Sequence, residues 1–102
     1  MVTLDQLLES CVYNSGSELH LKANSSPLVR IYGDLLPLDL DPLTHEEVRS
    51  LCLSALTEDQ KARFEEAMKL DFAYEIEGIA RFHGNIYLQR GYAGGAFHVI
   101  PY

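Results

Sequence analysis

The stretch Ala80–Arg90, ARFHGNIYLQR, constrains this chain more than any other. Read with a period of two, it sets Phe82, Gly84, Ile86 and Leu88 on one side and Arg81, His83, Asn85, Tyr87 and Gln89 on the other. That alternation belongs to a half-buried strand. One side builds a core. The other offers an arginine, a histidine, two side-chain amides and a tyrosine with no acid among them, so it is suited to meeting a ligand or partner.

The neighbouring segments fix how that strand is paired. Phe72, Tyr74 and Ile76 alternate with Ala73, Glu75 and Glu77, and Gly78 marks a turn. A three-residue loop Glu77–Ile79 sets Tyr74 opposite Phe82 and Glu75 opposite Arg81, whereas a two-residue loop sets Tyr74 opposite Arg81. Only the longer loop keeps one face apolar, because a one-residue slip turns every side chain over. The spacing therefore predicts a Glu75–Arg81 cross-strand pair, and such a pair would by itself account for Arg81. After Arg90, the glycines of GYAGG predict a loop that releases a last strand, AFHVIPY.

The first two thirds of the chain read as helices around a hairpin. Thr3 caps a helix with Leu4, Leu7, Leu8, Cys11 and Val12 on one stripe. ELHLKA from Glu18 and the run Leu28–Tyr32 form two strands joined by a Ser/Pro turn. Leu35 to Leu43 is broken by Pro37 and Pro42, which predicts an irregular or edge segment. Thr44 and Glu47 form a capping box for a second helix with Val48, Leu51, Cys52, Ala55 and Leu56 on its apolar stripe. Thr57 caps a third helix reaching Leu70, whose charged side reads as a solvated face. The order is helix, two strands, two helices, three strands: an α+β domain with an antiparallel sheet and helices packed on one face.

Charge narrows the partners. The 102 residues fit one domain, and the formal net charge of −7, from 8 basic and 15 acidic residues, excludes a general grip on nucleic acid. Asp34 to Glu77 holds twelve acids against four bases, while Ala80–Tyr102 holds Arg81, Arg90, His83 and His98 with no acid. That last segment is where an anion would be tolerated. The amino-terminal segment lacks a basic region and cleavage site, and no apolar run approaches membrane-spanning length, so the expected location is cytoplasmic. Cys11 and Cys52 each lie in a helical apolar pattern and read as buried free thiols.

No catalytic pattern is complete. Glu18 shares a strand face with His20, and His83 and His98 are potential neighbours across the sheet, but neither pair comes with a third metal ligand at a recognisable interval. There is no GxxxxGK followed by Ser or Thr, no nucleophile elbow and no isolated acid pair. The expectation is a fragment without catalysis of its own. What it can lend is arginine, whose forked donors stabilise charge on a phosphate held elsewhere.

Several short motifs stand together: SELHL at Ser17–Leu21, the series Pro27, Arg30 and Gly33, Asp71, ARFHGN at Ala80–Asn85, Gln89-Arg90-Gly91, and FHVIP at Phe97–Pro101. In these, over nearly its whole length, the chain resembles the amino-terminal domain of the type IV pilus twitching-motility (retraction) ATPases, within the type II/IV secretion ATPase superfamily. The resemblance implies a PAS-like fold for residues 1–102 and a longer parent chain with an ATP-binding motor domain after residue 102. ATP and Mg2+ would belong to the parent protein. It implies a regulatory and oligomerisation role in a homohexamer, beside the motor domain of its own or a neighbouring subunit. Pilus or secretion platform proteins would hold it peripherally at the inner membrane.

Residue by residue, Arg81 matches the first arginine of the family's RFR strand. Arg90 lies in the region from which these domains supply arginines toward ATP phosphates. His83 stands where the second RFR arginine is usual and His98 where arginine commonly precedes the Ile-Pro ending, so both are secondary candidates for the same contact. His20 matches an acid-Leu-His motif, with Glu18 for the commoner Asp, and implies a structural or interdomain hydrogen bonder. The rival reading is a stand-alone PAS-like adaptor that docks a protein or small ligand on the strand face Arg81–Gln89 and touches no nucleotide.

Overall fold

In a computed structural model, residues 2–102 form three helices and one six-stranded antiparallel sheet. The chain runs α1 (Leu4–Tyr13), β1 (Glu18–Lys22), β2 (Leu28–Ile31), β3 (Asp34–Pro37), α2 (His45–Leu53), α3 (Glu58–Ala67), β4 (Lys69–Ile76), β5 (Ala80–Gln89) and β6 (Tyr92–Ile100). The sheet order is β3-β2-β1-β6-β5-β4. Two meanders, one from each end of the chain, therefore join where β1 meets β6.

Each helix starts from a threonine capping box: Thr3 with Gln6, Thr44 with Glu47, and Thr57 with Gln60. The hydroxyl accepts the amide three residues on while that residue's side chain accepts the threonine amide, which satisfies two donors the helix leaves unpaired. Leu4, Leu7, Leu8 and Cys11 of α1 and Val48, Leu51 and Cys52 of α2 are buried, as their spacing requires. Along α3 only Phe64 is buried.

The core lies between the helices and one sheet face. Val29, Leu19, Phe97, Gly84 and Phe72 line up across β2, β1, β6, β5 and β4, and all five are buried. Gly84 is required here, because a Cβ at that position would lie 2.6 Å from Cζ of Phe72. The Phe72 ring covers the glycine and meets Phe97 edge-on at 6.0 Å between centroids.

The loop Glu77–Ile79 takes the expected length, with Tyr74 opposite Phe82 and Glu75 opposite Arg81. The segment after Gly33 is an edge strand, one of the two expected forms, and this β3 pairs with β2 through a two-residue turn in which Tyr32 and Gly33 have φ of +48° and +87°. Three expectations are corrected. Three strands, not two, precede the second helix. The third helix stops at Ala67, because Met68 turns left-handed at φ +62° and Lys69 already pairs with Tyr87 in the sheet. GYAGG is not a loop: only Arg90-Gly91 turns, and β6 begins at Tyr92. Its small residues serve close packing, since a Cβ on Gly94 would meet the Tyr87 ring at 2.6 Å and one on Gly95 would meet Sγ of Cys52 at 2.9 Å.

Candidate functional site

The sheet face turned away from the core carries the candidate residues. Register places Arg30, Glu18, His98, His83 and Ala73 in one row across β2, β1, β6, β5 and β4. The adjoining rows add Arg81 beside Ile100 and Glu75 in one direction, and His20, Ala96, Asn85 and Asp71 in the other. Period two puts them on the same side because each strand contributes every second residue.

Glu18 is the hub of this face. Its carboxylate accepts from Nε of Arg30, lies 2.5 Å from Nε2 of His98 and 3.7 Å from Nε2 of His20. The Arg30 hydrogen bond is the main reason its carboxyl is held below the usual carboxylate range; partial burial opposes it, and the charges of His98, Arg30 and His20 add to the lowering. Arg30 also donates through Nη1 to the Gly33 carbonyl at 2.9 Å, tying the β2–β3 turn to the row. Nε2 of His20 is enclosed and has no hydrogen-bond partner.

His83 and His98 do meet across the sheet. Their rings are 6.0 Å apart between centroids and about half of each side chain is exposed. His83 has Asp71 at 3.6 Å, and that carboxylate also accepts the Asn85 amide at 2.7 Å. Among the described residues no group of three or more His, Cys, Asp and Glu side chains is arranged to hold a metal ion.

Arg81 is exposed and, although it sits opposite Glu75, no ion pair joins it to a carboxylate among the described residues. Glu75 instead accepts from the Tyr102 hydroxyl at 2.5 Å, and the Arg81 guanidinium lies over the Tyr102 ring at 5.8 Å. Its forked donors are left facing solvent. Arg90 is elsewhere: it occupies the β5–β6 turn, nine residues along the strand, which at about 3.3 Å per residue separates the two arginines by roughly 30 Å. One bound phosphate chain cannot lie within reach of both.

Sequence reasoning missed the Glu18 hub and the company of Arg90. The residues that line a cleft with Arg90 include Lys22, Asn24 and Tyr92. Both omissions depend on β1 lying against β6, strands far apart in the chain.

Comparison with solved structures assigns the class. A pilus retraction motor PilT, solved with bound ADP, superposes on the chain with a TM-score of 0.91 at 29% identity, covering 99% of this chain and 30% of that one. The chain belongs with the amino-terminal portions of the type IV pilus ATPases. Within that class it is similar to particular pilus proteins: the retraction ATPase PilT of Pseudomonas aeruginosa, 36% identical over 98 residues, 96% of this chain and 28% of that protein, and the ATPase PilU of the same organism, 31% identical over 90 residues, 88% of this chain and 24% of that protein. The chain thus spans under a third of the length of the curated relatives it matches. No protein-family model matches it.

Proposed function

We propose that residues 1–102 are the amino-terminal regulatory and oligomerisation domain of a hexameric pilus-retraction or secretion ATPase. In this role the face around Arg81 turns toward ATP, held with Mg2+ by the motor domain of the same or a neighbouring subunit. The observation that carries it is the guanidinium of Arg81 on a rigid strand, beside His83 and His98 and, among the described residues, without a carboxylate partner, in a chain similar to PilT. Fixed donors on a strand need no rearrangement to meet developing charge on a phosphate, which is how an arginine supplied from outside a nucleotide pocket accelerates hydrolysis.

Arg81 is assigned to the phosphates, with His83 and His98 as supporting donors when protonated. Arg90 belongs to the same contact only if a second nucleotide, held by a different subunit, approaches the far end of β5. The parent protein acts in the cytoplasm, peripheral to the inner membrane through pilus or secretion platform proteins; among the described residues no helix is long and apolar enough to cross a membrane.

Adding the separately purified motor domain with ATP to isotope-labelled 102-residue chain tests the orientation by amide shifts. The expected result is perturbation centred on Arg81, His83 and His98. No perturbation, or the same perturbation when ATP is left out, would favour the adaptor reading.

A further inference from the structure

At the far end of the polar face, away from the contact proposed around Arg81, the structure holds a cleft of about 390 Å3. Lys22 closes β1 on one side, Asn24 follows in the β1–β2 loop, Tyr87 and Gln89 come from β5, and Arg90 and Tyr92 from the turn and the start of β6. Both charged side chains in this lining are cationic, in a chain whose net charge is −7. The size falls within the range of small-molecule sites.

The construction of the cleft is specific. Tyr87 lies over Gly94, where any Cβ would sit 2.6 Å from the ring and 2.7 Å from its hydroxyl oxygen. Glycine there lets the ring settle on β6 as an aromatic floor. Arg90 is placed by a two-residue turn in which it and Gly91 have φ of +53° and +81°. Such turns favour Asn, Asp or Gly at the first position, so arginine is held there against local preference. Asn24, on the opposite wall, is also left-handed at φ +63°, a conformation Asn adopts readily.

We propose that this cleft binds a nucleoside monophosphate, with the phosphate on Arg90 and Lys22 and the base stacked on Tyr87. A guanidinium fork and an ammonium are the two side chains suited to phosphate oxygens. A tyrosine face accepts a planar base. The amides of Asn24 and Gln89 carry both donors and acceptors for a base edge. The Tyr87 floor stands roughly 20 Å from Arg81 and Arg90 roughly 30 Å, at about 3.3 Å per residue of β5, and the site does not depend on a motor domain being present.

The test is an amide-shift titration of the 102-residue chain with AMP, ribose 5-phosphate and inorganic phosphate. AMP is expected to saturate shifts at Lys22, Asn24, Gly91 and Gly94 at a concentration roughly ten-fold below inorganic phosphate, the lower end of what stacking on one aromatic ring supplies. Ribose 5-phosphate should resemble phosphate. Arg90→Asn, which keeps a residue suited to the turn, should weaken AMP by roughly ten-fold without lowering the melting temperature, and Tyr87→Leu should remove the preference for AMP over phosphate. Equal affinity for AMP and phosphate, shifts centred on Arg81 and His98 instead, or no saturable shift would each overturn the proposal.

Discussion

His83 stands directly opposite His98 on the outer face of the sheet, with ring centroids 6.0 Å apart. The fold thus brings two histidines of the acid-free carboxy-terminal segment into one cross-strand pair. Each histidine has a carboxylate at hand, Asp71 for His83 and Glu18 for His98. Arg81, one row away, is left as the permanently charged donor of this end of the face.

Glu18 is the held group. Its folded-state pKa lies below its unfolded value, so its stabilisation is present above the unfolded pKa of about 4.3. It is lost as pH falls through the folded value. Glu18→Gln should cost about 1–2 kcal/mol at pH 7, the scale of a charged hydrogen bond left without its charge, and should flatten the decline in stability below about pH 5. Thermal melts of both proteins between pH 3 and pH 7 check this. Equal melting temperatures and identical acid limbs would remove Glu18 from its role as hub.

Gly84 tests the packing beneath that face. An added methyl would collide with Cζ of Phe72 at 2.6 Å, so Gly84→Ala should destabilise by about 1–3 kcal/mol through overpacking. Phe72→Leu in the same chain should recover part of that loss, because it removes the ring that the methyl strikes. Denaturant unfolding of the two single variants and the double variant gives the coupling. Simple additivity would show that the ring does not press on Gly84.

The outcome at these positions shows what was legible in sequence. The threonine caps, the Thr44–Glu47 capping box, the Glu77–Ile79 loop and the Pro37 edge are decided within a few residues, so local spacing foretold them. The glycines after Arg90 were misread because turn composition and close packing use the same residues: Gly94 and Gly95 are small to admit Tyr87 and Cys52, which come from other elements. The end of α3 was missed because Met68, a good helix former, takes a left-handed conformation that starts β4. The candidate face was legible on β5 alone. Glu18 joins His98 only because β1 pairs with β6, a contact between ends of the chain that no local pattern encodes.

The two thiols give a chemical check on the core. Burial pushes Cys52 up to about 12, and burial together with the charge of Glu18 pushes Cys11 up to about 11. At pH 8 both should resist a thiol reagent in the folded protein and react at the rate of global or local opening. Labelling followed by mass spectrometry across a denaturant series should track unfolding. Immediate labelling in buffer would contradict the burial, and a disulfide would contradict the two free thiols.

Arg81 is the residue on which the assignment of this face to ATP turns. In the parent protein with its motor domain, ATP hydrolysis is measured for the natural chain and for Arg81→Ala, with ring assembly followed by light scattering. A supplied arginine is worth about 10³–10⁵ in turnover where it acts fully, so a loss of at least about ten-fold with the ring intact is the predicted result. Unchanged hydrolysis by an intact ring would contradict the assignment of this face to ATP and leave the domain as a docking module.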